Sequence, residues 1–163
     1  MTKSLDLGCG KNPKNPFNAD EVFGIDVRDD VNANIKRADL VIEPIPFDNK
    51  TFGYVIACDF IEHVPPLVYV PHRRNAFVEL MSEIYRVLKM NSTFLSFTLA
   101  YPHIETFRDA THVNFITEQT FALYFDHENR WGGLYGFSAA FKIISQEWQG
   151  RICSQSCKKS RCR

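Results

Sequence analysis

The order of elements in this chain predicts an α/β fold, a mostly parallel sheet flanked by helices. Three observations point to it. Short apolar runs rich in β-branched and aromatic residues recur along the chain without clean polar/apolar alternation, as in strands covered on both faces. One segment between them carries apolar residues at the helical period. No internal repeat and no Pro/Gly-rich linker divides the sequence, so strands and helices belong to one alternating series.

The elements follow in order. Residues 3–8, KSLDLG, read as the first strand and end in a glycine turn. Residues 21–27, EVFGIDV, form a second apolar run that closes on an acid, and residues 35–41, IKRADLV, a short third. TFGYVIACDF, residues 51–60, reads as a fully buried strand. Residues 73–89 are the clearest helix: Phe77, Leu80, Met81, Ile84 and Leu88 share one face, with Glu79, Ser82, Glu83 and Arg86 on the other. Asn91 can end that helix, and TFLSFTLA, residues 93–100, follows as a strand. Residues 117–127 suit a second helix with Thr117 as N-cap. Residues 140–148, AFKIISQEW, are the last strand, which ends a domain spanning residues 1–150. The basic, Cys-containing stretch 151–163 reads as a frayed tail. Between strand and helix, residues 101–116, YPHIETFRDATHVNFI, make a long polar and aromatic loop of the kind that carries function in α/β sheets.

Bulk properties narrow the function classes. A chain of 163 residues is long enough for one well-packed domain. Nineteen basic residues balance nineteen acidic ones, which offers no basic face for nucleic acid or an anionic membrane. No apolar run approaches the roughly 18 residues needed to cross a bilayer, and MTKSLDLG lacks the pattern of a secretory signal. Cys9 and Cys58 sit in apolar or glycine-rich surroundings and read as small buried residues. Cys153, Cys157 and Cys162 supply three thiols, short of a closed four-ligand metal site, so no metal is expected. Free thiols without a signal fit a reducing, cytoplasmic setting.

The glycine turn carries the chemistry. Gly8 and Gly10 let a ligand approach backbone N–H groups, and Asp26 lies eighteen residues after Gly8 at the end of the second strand. An acid at about that spacing accepts hydrogen bonds from ribose hydroxyls. The pair reads as a nucleoside site, or as a tight turn beside a solvated acid. A dinucleotide fingerprint would place glycine at position 13, where Pro13 stands, which disfavours a nicotinamide oxidoreductase.

LDLGCG, then GID, then ADL…IPFDNKTFGYVIACDFIEHV, then ELMSEIYRVLK, then DATHVNFIT, in this order, resemble the class I S-adenosylmethionine-dependent methyltransferases, in particular small-molecule enzymes with Glu-His-Val after the fourth strand. The resemblance runs from Leu5 to about Thr117, then loosely to Trp148, and implies a Rossmann-like parallel sheet with a C-terminal antiparallel strand. It implies that Asp6 steadies the turn and the cofactor's amino group, and that Gly8, Cys9 and Gly10 lie against its methionine part. Asp26 would hold the ribose, with Val27 beside the adenine, Asp39 at the adenine amino group and Leu40 at the ring. Cys58, Asp59 and Phe60 would offer backbone carbonyls to the ammonium, and Glu62 and His63 would stand at the acceptor rim. The family's N-terminal helices are absent here, and Lys89-Met90-Asn91-Ser92 replaces its usual Lys-Pro-Gly-Gly.

An oxygen or nitrogen acceptor needs a proton removed, and His112, His63 and Asp109 are candidate bases. His112 also suits the simpler task of pinning its loop, and Glu62 with His63 suits a hydrogen-bonded pair that shapes the site. Tyr101, His103, Phe107 and Phe115 are candidate linings of an acceptor pocket. The expectation is a monomer or homodimer that transfers a methyl group to a small-molecule acceptor. The alternative is a non-catalytic cofactor-binding module completed by a partner.

Overall fold

The computed structural model describes residues 1–28, 34–149 and 152–160. One seven-stranded sheet organises the chain: β1 (Lys3–Leu7), β2 (Glu21–Asp26), β3 (Ile35–Arg37), β4 (Phe52–Cys58), β5 (Leu88–Leu99), β6 (Phe141–Gln149) and β7 (Ile152–Lys159), in the order β3-β2-β1-β4-β5-β7-β6. The first five strands run parallel to one another, and β7 runs antiparallel between β5 and β6. Strand order reverses at β1, whose neighbours are β2 and β4, so the carboxyl ends of these three strands form the switch-point crevice where α/β sheets bind ligands.

Helix α1 (Ala76–Val87) crosses from β4 to β5 and buries Phe77, Leu80, Met81 and Ile84 against Leu5, Leu7, Val55 and Phe94 of the sheet. It starts three residues later than its periodicity suggests, because Arg74 pairs through its backbone with Val68 in an isolated bridge. Its polar face is not simply solvated. Arg86 binds Glu83 and donates to the carbonyls of Ile45 and Phe47, while the Ile45 N–H donates to Glu83, so the pair fastens the loop before β4 to the helix. Helix α2 (Thr120–Tyr124) is a short core of the longer helix expected there, and it packs Phe121 into a ring cluster with Phe77, Phe125 and Phe94. The β1–β2 connection contains no helix; Pro13 and Pro16 fall within it, and Phe17 stacks on Tyr54 at 4.2 Å between ring centroids.

Two further boundaries differ from expectation. Asn91 does not end the helix; it adopts φ +60 inside β5, which begins at Leu88 and shifts register against β4 between Phe52 and Tyr54. The stretch after residue 150 is not a frayed tail through Lys159, because Ile152–Lys159 form β7, laddered to β5 on one side and β6 on the other. Its period-two signal is carried by residues of low hydropathy: Cys157 and Lys159 are buried and Lys158 between them is exposed. Lys159 Nζ donates to the carbonyls of Tyr85 and Leu88, capping the C-terminal end of α1 where a cation is favoured. Burial pushes the Cys157 thiol up to about 12. Cys162 lies outside the described residues.

Candidate functional site

At the end of β1 the chain turns through Gly8 at φ +66 and Gly10 at φ +61, a region side chains rarely enter. A Cβ on Gly8 would lie 2.6 Å from the Phe60 ring, so the turn and the segment after β4 meet edge to edge. Asp6 is buried in β1 and accepts the Lys14 N–H at 2.8 Å, which closes the turn. Burial raises its carboxyl to about 6, against the pull of that N–H. Cys9 donates its N–H to the Ile25 carbonyl and tucks its sulfur over Gly24, where a Cβ would sit only 2.4 Å away. Cys9 and Cys58 are half-buried free thiols rather than fully buried ones, and burial raises both, Cys9 to about 11.

Asp26 ends β2. Its carboxylate accepts the Gly10 N–H at 2.9 Å, the Arg28 N–H at 3.1 Å and the Arg28 guanidinium at two points. The Arg28 bonds chiefly hold it down at about 2. A cavity of about 300 Å³ opens beside it, lined by Gly8, Val27, Leu40, Asp59, Phe60 and His63 among others. Asp39 also borders it, with Oδ1 committed to the Val41 N–H and Oδ2 without a partner among the described residues. Asp6, Cys9, Gly10 and Cys58 do not line this cavity; the first three build the turn behind it.

Asp59, at φ +50 and anchored by its N–H to the Phe97 carbonyl, lines this cavity and also a second one of about 600 Å³. The second is polar: Glu62, Glu105, Arg108, Asp109 and His112 face it. None of Tyr101, His103, Phe107 and Phe115 lines it; Tyr101 and His103 face a separate groove with Trp148, and Phe115 a further cavity.

Glu62 is fully buried. Its carboxylate accepts the Thr98 hydroxyl at 2.7 Å and the Leu99 N–H at 3.3 Å, and its carbonyl accepts the N–H groups of Val113 and Asn114. It thereby ties the segment after β4 to β5 and to the loop 101–116. His63 and His112 lie with ring centroids 4.8 Å apart. His112 Nδ1 is 3.2 Å from the Thr106 carbonyl. His63 Nδ1 is 3.1 Å from Thr111 Oγ1, whose own proton goes to Asp109 Oδ1 at 2.7 Å, and 3.3 Å from the Thr111 carbonyl. Every one of these partners can only accept, so both Nδ1 atoms donate and both Nε2 atoms carry the free lone pair in the neutral rings. The Thr111 hydroxyl and N–H hold the Asp109 carboxyl below its ordinary range.

Sequence reasoning missed Arg28, Thr98 and Thr111. Thr111 had a signal, since Asp-Ala-Thr is a short side-chain-bonded turn; Thr98 lies in a strand and is paired only through the fold.

The crevice fits an adenosyl ligand. Its volume is at the small end for ligand cavities, apolar Val27 and Leu40 flank it, the carboxylates of Asp26 and Asp39 border it, and Gly8 leaves backbone bare. The comparisons agree. A family model described as methyltransferase domain matches residues 5–96. Among solved structures, a SAM-dependent methyltransferase from Archaeoglobus fulgidus aligns with TM-score 0.65 and 15% identity over 98% of this chain and 86% of its own. One from Methanosarcina mazei aligns with TM-score 0.61 and 14% identity, over 96% and 92%. A chain of the complex between the Haloferax volcanii Trm112 methyltransferase activator and a methyltransferase aligns with TM-score 0.65 and 12% identity, over 98% and 83%. No curated protein matches the sequence.

Proposed function

The chain belongs to the methyltransferase domain family, and from that premise we propose that it transfers a methyl group from S-adenosylmethionine to the oxygen or nitrogen of a small-molecule acceptor. One observation carries the reading: the nucleoside-sized cavity and the polar cavity meet at Asp59, and the His63–His112 pair stands along their boundary with free Nε2 atoms.

The bound cofactor supplies an electrophilic methyl carbon. Asp26 and Asp39 would hold its ribose and adenine amine, Val27 and Leu40 would flank the ring, and backbone at Gly8 and around Asp59 and Phe60 would meet the methionine part. The acceptor enters the polar cavity. His112 Nε2 is placed to take the proton from its O–H or N–H. Thr106 fixes the His112 tautomer, and Asp109 through Thr111 does the same for His63. Glu62, fully engaged by Thr98 and Leu99, positions the loop that carries His112.

A second reading is a cofactor-binding subunit completed by a partner. It is favoured by the similarity to a chain from a complex of a methyltransferase with its activator. Calorimetric titration of the purified chain with S-adenosylmethionine, S-adenosylhomocysteine and NAD tests the common core of both: micromolar binding of the first two and none of the third is expected. Methyl transfer to an acceptor library by the chain alone then supports the enzyme, whereas binding without any transfer supports the subunit.

A further inference from the structure

A third cavity, of about 380 Å³, lies where the β4–α1 loop, the start of α1 and the segment after residue 113 meet. It shares a wall with the polar cavity, because Val113 and Asn114 hang from the Glu62 carbonyl, with His112 on one side and Phe115 on the other. Its walls are rings and aliphatic groups: Phe77, Phe115, Tyr124 and Tyr135, the last two stacked 17° from parallel at 6.0 Å. No acid borders it, and its one charge is Arg73 at the mouth. The neighbouring Arg74 is spent on Glu79 and on the Val41 carbonyl, at 2.7 and 2.8 Å. Arg73 has no ion pair or side-chain hydrogen bond among the described residues. Inside, Asn114 is 5% exposed. Its amide nitrogen donates to the Ile61 carbonyl, which fixes its orientation and leaves Oδ1 as an acceptor without a partner among the described residues.

We infer that this cavity is a binding site for a small aromatic carboxylate. A cavity of this size walled by rings suits a planar apolar body. The free guanidinium takes the carboxylate in a bidentate pair, and Asn114 Oδ1 meets a hydroxyl or N–H on the ring. The charge contrast makes the choice specific: the adjoining polar cavity presents the carboxylates of Asp59, Glu62, Glu105 and Asp109 against the one guanidinium of Arg108 and the His112 ring, and so disfavours the same anion. The inference stands apart from the methyl-transfer reading, since it uses no residue of the adenosyl cavity.

The test is calorimetric titration of the full chain with 4-hydroxybenzoate and with 4-hydroxybenzamide, for the parent chain, Arg73→Gln and Tyr124→Ala, each checked for S-adenosylmethionine binding as a control of fold. The acid should bind about tenfold or more tighter than the amide, as a charge-assisted pair predicts. Arg73→Gln should abolish that difference, and Tyr124→Ala should weaken both ligands. Equal affinity for acid and amide, no saturation by either, or an acid affinity unchanged in Arg73→Gln would overturn the site. Lost S-adenosylmethionine binding in the parent chain would instead count against the methyl-transfer reading alone.

Discussion

Arg28 closes a bidentate ion pair on Asp26, with Nε to Oδ1 at 2.8 Å and Nη2 to Oδ2 at 3.1 Å. With the N–H groups of Gly10 and Arg28 added, four donors occupy a carboxylate that has about four lone-pair sites. A ribose therefore reaches Asp26 only by displacing a donor, and the half-exposed guanidinium is the one able to move. Arg28→Met should strengthen S-adenosylmethionine binding about threefold or more, and Asp26→Ala should weaken it at least about tenfold, a 1.4 kcal/mol change. Titration calorimetry checks both, and weaker binding in Arg28→Met would mean that Arg28 itself holds the ligand.

Asp6 is held neutral by burial until about pH 6, whereas in the unfolded chain it ionises near 3.8. A raised folded-state value contributes stability that is present below 3.8 and lost as pH rises through about 6. The gap corresponds to at most about 3 kcal/mol. Asp6→Asn, which keeps an oxygen for the Lys14 N–H, should raise the melting temperature at pH 7.5 and leave it almost unchanged at pH 4. It should also weaken the cationic cofactor, because the turn loses its carboxylate. A gain of equal size at both pH values would refute the titration argument.

Lys159 ties the last strand to the helix, with Nζ on two carbonyls at the end of α1 and 4.1 Å from the Tyr85 ring centroid. Lys159→Met keeps the aliphatic stem but leaves both carbonyls without that donor. A loss of about 1–3 kcal/mol in denaturant unfolding is expected, as for removal of one partner of a buried charged hydrogen bond. Truncation before residue 152 should cost more, since β5 and β6 both lose their neighbour.

The parallel strands, the switch-point crevice and helix α1 were legible because each is written in a local period or a glycine turn. Strand β7 was not: its buried members are Cys157 and Lys159, and only the two flanking ladders make that alternation meaningful. Asp26 was expected at a nucleoside site from its spacing, and Val27, Asp39 and Leu40 beside it from the resemblance; the four line one cavity. The occupancy of Asp26 by Arg28, two residues on, was invisible, because charge order along a chain does not say which pairs close. The acceptor side was the least legible. Its contacts join residues about 50 apart, as between His63 and Thr111, so only the folded loop sets them.

That His63–Thr111–Asp109 chain offers the sharpest functional test. Thr111 Oγ1 accepts the His63 N–H and donates its own to Asp109, so the hydroxyl, together with the Thr111 carbonyl, sets the tautomer of the ring beside His112 and links it to a carboxylate. Thr111→Val preserves shape and removes that link. If the histidine pair removes the acceptor's proton, Thr111→Val should lower kcat about tenfold, leave S-adenosylmethionine affinity unaltered, and shift the acid limb of the pH–rate profile. His112→Gln should lower kcat by about 100-fold or more, in the range expected when a general base is lost, again without loss of cofactor binding. Thr111→Ser should recover the parent profile, since it restores the hydroxyl that joins His63 to Asp109. A Thr111→Val enzyme with parental rate and pH dependence would assign the pair to holding the loop rather than to proton transfer.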